Sequence, residues 1–150
     1  MSFLDALNGG LEKAAETSRK CNEVDSVFHV MNEELKSFAT ASVQVKRAST
    51  SLSVISAWVE SKENGKSSDA YFTEDVLNLH VKLEGGSSFV AKVAGWRQSI
   101  NGWPCTVSFE GQEVVCFKKI ELENTLQELL GSTSFGRVLS EQLNRKSKPF

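Results

Sequence analysis

Three cysteines and two histidines are the side chains of this 150-residue sequence best suited to bind a metal or to act as nucleophile and base. They stand at Cys21, Cys105, Cys116, His29 and His80, far apart in the chain. A structural zinc site takes four nitrogen or sulfur ligands, usually from closely spaced pairs. No CxxC, HExxH, GxSxG or cysteine–histidine signature occurs, so the thiols read as small buried hydrophobes and neither metal nor cofactor is expected. The acidic pairs Glu33-Glu34 and Glu74-Asp75 are immediate neighbours, and adjacent side chains diverge on a helix or strand, so neither makes an acid/base couple. The glycine–serine stretches "EGGSS" and "GSTSFG" read as a hairpin turn and a helix cap. Neither matches a phosphate-binding loop.

Two kinds of site remain. A small-ligand or catalytic pocket needs convergent polar groups, and His80, Tyr71, Arg97 and Gln98 are the residues that would have to meet. An interaction surface needs accessible apolar anchors, and the candidates are Leu4, Leu7, Leu11, Phe28, Trp58, Tyr71, Phe72 and Trp103. Which set works depends on the elements that carry it.

The bulk composition suits one α+β domain over residues 1–150: 40% of residues are hydrophobic, 24% charged, and the formal net charge is −2. So small a charge gives no field for nucleic acid or acidic lipid. The first ten residues lack a basic and apolar leader pattern, and no apolar run is long enough to span a bilayer, so a cytoplasmic protein with reduced thiols is expected.

Along the chain, residues 1–10 read as an N-terminal arm, separated by the helix-disfavouring "NGG" from a long helix over 11–40. Apolar residues recur there at three- and four-residue steps from Leu11 through Phe28 to Phe38. Thirty helical residues reach roughly 45 Å, whereas a compact chain of this size is roughly 38 Å across. The helix either lies along one sheet face or leaves its N-terminal half to meet another protein or a second copy. Alternating patterns over 42–117 predict an antiparallel meander of five or six strands, among them 52–61, with a polar loop at 62–69. Two C-terminal helices follow within 120–145, then a flexible basic tail at 146–150.

Register can be read from the turns. "NG" at 101–102 and "EG" at 110–111 each predict a two-residue hairpin. Trp96 then faces Val107, Gln98 faces Cys105, and Cys105 faces Cys116. Matching Leu83, Val81 and Leu79 to Phe89, Ala91 and Val93 places Val93 and Trp96 on opposite faces, which one extra residue at Ala94-Gly95 would reconcile. Trp96 is then core, and Trp103 the exposed aromatic.

In being small, acidic and α+β, the chain is loosely similar to type III secretion chaperones, although it lacks a helix between strands at 60–75 and no residue carries over. The function expected is a non-catalytic interaction module: an inhibitor, adaptor or immunity/anti-defence protein of bacterial or phage origin. It would act on another protein or form a homodimer through the N-terminal helix. The alternative is a ligand-binding protein or enzyme with a pocket between the curved sheet and a helix.

Overall fold

The computed structural model describes residues 2–36, 38, 41–49 and 72–144, of which 49 and 72–74 by backbone alone. The strand expected at 52–61, the loop at 62–69, Trp58, Tyr71, the side chain of Phe72 and the tail at 146–150 lie outside the described residues.

Helix α1 runs Phe3–Leu35, followed by β1 (Ser42–Ser49), β2 (Phe72–Lys82), β3 (Ser88–Ser99), β4 (Cys105–Phe109), β5 (Gln112–Cys116), α2 (Lys119–Leu130) and α3 (Thr133–Asn144). The strands form one five-stranded antiparallel sheet in sequence order. This is the α+β meander with a long first helix and two C-terminal helices that the periodicities predict.

The "NGG" stretch does not interrupt α1. Gly9 and Gly10 cost about 1 kcal/mol each relative to alanine. A helix already nucleated elsewhere nevertheless gains one hydrogen bond per added residue. Ser2 then closes the end with a capping box, its hydroxyl accepting from Asp5 N while the Asp5 carboxylate accepts from Ser2 N. At the other end the helix stops at Leu35, earlier than expected, and Phe38 is exposed rather than packed.

Alternation along the strands sends Val43, Val45, Leu77, Leu79, Val81, Cys105 and Val107 inward. They meet Val24, Val27, Phe28 and Met31 of α1, Leu122, Leu126 and Leu129 of α2, and Phe135 of α3 in one core. Phe28 stands edge-on to Trp96 with ring centroids 5.2 Å apart. The side chain of Asn32 pins α1 to the edge strand. Its Oδ1 accepts from Val45 N at 2.8 Å and its Nδ2 donates to Val45 O at 3.0 Å. Two strand groups that would otherwise be open at a sheet edge are thereby satisfied.

The register bears out three expected pairings, Trp96 with Val107, Gln98 with Cys105, and Cys105 with Cys116. Three details differ. The β2–β3 hairpin is tighter than expected, with Leu83 N donating to Ser87 O at 2.8 Å around residues 84–86, so Val81 rather than Leu83 faces Phe89. A shift of two keeps every side chain on its expected face. The extra residue is Val93, since Leu77 pairs with Ala94 but Asn78 with Lys92. The bulge therefore falls one position before the expected one. Gly95 answers to a different constraint, for a Cβ there would stand 3.3 Å from Ser108 Cβ.

The third difference is the turn after β3. Gly102 N donates to Ser99 O at 2.9 Å, and Ser99 N donates to Pro104 O at 3.2 Å, so the loop is longer than the two-residue Asn-Gly form. Of that pair only Gly102 has positive φ (101°), and the Trp103–Pro104 peptide is cis. The reason is tertiary: the turn packs on α1. A Cβ on Gly102 would lie 2.6 Å from Lys20 Cβ and 3.1 Å from Cys21 N.

These contacts separate the glycines by role. Gly102→Ala combines an unfavourable φ with a clash against helix backbone and should cost about 2 kcal/mol or more. Gly9→Ala meets nothing within 4 Å and lies in a helix, so it should not destabilise the chain. Urea unfolding of both variants checks the contrast, and a neutral Gly102→Ala would refute the docking of this turn on α1.

Candidate functional site

The half of α1 before Lys20 has no partner within the described chain. Thirty-three residues extend about 50 Å, but the first buried side chain is Val24. Phe3 is 96% exposed, Leu4 72%, Leu7 61% and Leu11 63%. These are large apolar side chains on a regular helix, not on a frayed end, because the capping box holds the first turn.

The stripe has a definite order. Leu4, Leu7, Leu11, Ala14, Ser18 and Cys21 alternate steps of three and four, the spacing of a coiled-coil seam. The charges keep away from it. At about 100° per residue, Asp5, Glu12, Lys13, Glu16, Arg19 and Lys20 all fall within an arc of about 120° on the other side. There Arg19 pairs with Glu16, one turn apart. The arm is thus apolar and small-residue on one face and charged on the other.

Where the arm joins the body, four contacts fix its direction. Gly102 abuts Lys20, and Cys21 Sγ lies 3.9 Å from Ile100 O. Trp103 Nε1 donates to Glu23 Oε1 at 3.2 Å. Arg47 of β1 donates to Asp25 at 2.8 Å and to Gln98 Oε1 at 3.4 Å, with its guanidinium stacked over Phe28 at 4.6 Å.

The interaction candidates therefore divide. Leu4, Leu7 and Leu11 lie together on the arm. Phe28 is core, and Trp103, expected to be exposed, is half-buried and tied to Glu23. Phe3, absent from the candidate anchors, is the most exposed large apolar side chain among the described residues. Sequence reasoning passed over Arg47 and Asn32, whose roles depend on contacts distant in sequence.

The ligand candidates do not converge. His80 lines a shallow cavity of about 290 Å³ on the outer sheet face with Gln44 and Lys46, where burial and the nearby Lys46 charge lower its pKa. Arg97 lines a different depression of about 420 Å³ with Asp75, Lys92, Ser108 and Glu113. Along β2 the two lie six residues apart, or about 20 Å. Gln98 points to the opposite face, toward Arg47. The sheet–helix space proposed for a pocket holds Phe28, Trp96, Leu77 and Leu126.

Cys105 and Cys116 face each other as register predicts, yet each thiol donates elsewhere, Cys105 to Gly102 O at 3.2 Å and Cys116 to Thr125 Oγ1 at 3.4 Å. Burial pushes Cys105 up to about 12, with the neighbouring thiol adding to the effect, and burial also raises Cys116. Thiolate is the nucleophilic form, so both are poor nucleophiles at neutral pH. Among the described residues no three histidine, cysteine, aspartate or glutamate side chains cluster to hold a metal, and no helix is long and apolar enough to cross a membrane.

Compared with models of known protein families, with curated proteins and with solved structures, the chain has no match. The functional reading therefore rests on geometry.

Two measurements follow from the thiols. At pH 8 a disulfide reagent should titrate one thiol, Cys21, in the native chain and three after unfolding; a second fast thiol would contradict the burial. A thiol whose pKa is raised by folding holds its proton while the unfolded thiol loses it. Stability should therefore be full below about pH 9, the unfolded value, and decline as pH rises toward 12. Urea midpoints between pH 8 and about 11 read that decline.

Proposed function

We propose that the protein is a non-catalytic interaction module whose working surface is the projecting half of α1. One observation carries the reading: an ordered stripe of Phe3, Leu4, Leu7 and Leu11 stands in water on a capped helix. Contiguous apolar surface of this kind marks interaction sites in soluble chains. A helix presenting anchors at three- and four-residue steps is also a standard way of engaging an apolar groove or another helix. An adaptor, inhibitor or immunity-type protein fits such a surface, acting on another protein or on a second copy. Its free cysteines favour a reducing compartment such as the cytoplasm.

The reading requires the stripe to be free in the isolated chain. In dilute solution, at about 1 µM, amides of 3–19 should exchange with solvent far faster than those of 24–31, since local opening of an unpacked helix costs little. Leu7→Asp with Leu11→Asp should leave the urea stability of the core within about 0.5 kcal/mol, because these side chains touch none of it. Slow exchange over 3–19 in a chain shown to be monomeric would mean that the arm packs on its own domain, and would end the proposal.

A further inference from the structure

The two halves of the arm are complementary to each other. Reversing the arm against a copy of itself about a point between Glu12 and Lys13 pairs residues whose numbers add to 25. Leu4 then meets Cys21, Leu7 meets Ser18, and Leu11 meets Ala14. Every layer of the seam sets a leucine against a small side chain, which is how facing positions fill the space between helices without voids or clashes. A parallel pairing instead stacks leucine on leucine at one end and alanine and serine on their twins at the other.

Helix dipoles and length select the same arrangement, since antiparallel neighbours set opposite helix ends side by side. The charges of residues 3–21 stay on the outer faces of the pair, away from the seam. The positions flanking the seam (Phe3, Asn8, Gly10, Ala15, Thr17 and Asn22) carry no charge, and all but Phe3 are small or short enough for close approach. In length, the tip of one arm reaches Cys21 of the other, where the partner's body begins. Phe3 arrives there beside the turn carrying Ile100, itself 49% exposed. A foreign partner would not require the two halves of the arm to match each other in side-chain size and length.

Resting on the interaction reading above, we propose that the occupant of the stripe is a second copy of this chain, paired antiparallel through residues 3–21 in a symmetric dimer. Such an isologous contact closes on itself and leaves no stripe over to grow a filament. It engages some dozen residues a side, fewer than the 20–30 or so of a standard interface, so a reversible dimer with Kd on the order of 10–100 µM is expected.

The test is site-directed cross-linking of the full chain. Leu4→Cys, mildly oxidised at about 200 µM, should give a covalent dimer whose mapped disulfides join the introduced thiol to Cys21 of the partner subunit. That dimer should vanish in the Cys21→Ser background. Leu7→Cys in the same background should give none, because the two introduced thiols lie about 16 Å apart along the antiparallel pair. Since all these side chains are outside the core, folding of the variants is checked by unchanged urea midpoints. A Leu7→Cys dimer, or a Leu4→Cys dimer whose two introduced thiols are joined to each other, shows parallel pairing and overturns the proposal. So does a wild-type chain that sediments as a monomer up to about 500 µM. If its arm still exchanges fast, the stripe awaits a different protein and only the self-pairing fails; if the arm exchanges slowly, both readings fail.

Discussion

A helix of about 50 Å is held by the body through its second half alone, and that mismatch governs the molecule. Only from Val24 onward does α1 find apolar surface to cover. The grip is concentrated there: Phe28 against Trp96, Asn32 on the backbone of Val45, and Arg47 spanning Asp25, Phe28 and Gln98. These contacts come from β1 and β3, with a further one from the β3–β4 turn, so the direction of the free half is set by the body. An unbroken helix transmits that direction to Phe3. A break at the glycines would have left a loose apolar peptide in place of a presented surface.

The same arrangement accounts for the peculiarities of the turn at 99–104. A plain Asn-Gly hairpin would serve β3 and β4 equally well. This turn also buttresses the helix at its last unsupported point, with Gly102 giving up a side chain so that Lys20 and Cys21 can approach. Trp103 is drawn inward by its bond to Glu23, and Cys105 donates back to Gly102 O. The thiol beneath the turn is therefore a structural donor, and its raised pKa is a consequence of its placement.

Much of this was legible in the sequence wherever a pattern is local. Period-two alternation gave the strands and their inward faces, and turn parity alone placed Cys105 opposite Cys116 and Trp96 opposite Val107. The failures all lie where a distant contact overrides a local preference. "NGG" is a poor helix by propensity, yet the helix runs through it because packing from Val24 to Met31 nucleates the turn-by-turn extension. The bulge falls at Val93, while Gly95 is held by the close approach of Ser108 from β4. Trp103 is half-buried because a helix eighty residues earlier offers it a carboxylate. The arm itself was half legible: its length and its leucines signalled an uncovered stripe, but the expected break missed that one continuous helix presents it.

A change of spacing within α1 shows why one helix can serve two surfaces. From Leu4 to Cys21 the apolar positions alternate three and four, whereas Cys21, Val24 and Val27 follow by threes before Phe28 and Met31. A repeat shorter than 3.6 residues drifts around the helix. The consecutive threes turn the stripe, so the core-facing residues lie about 120° around the axis from the arm's seam. The sheet and any partner of the arm therefore occupy different sides of α1. A second helix can lie along residues 3–21 up to the domain boundary without contesting the face that Trp96 and Val45 already hold. If the two stripes were one continuous line, the partner's tip would run into the sheet at Val24. Their offset makes the arm usable along its whole length while the body stays closed.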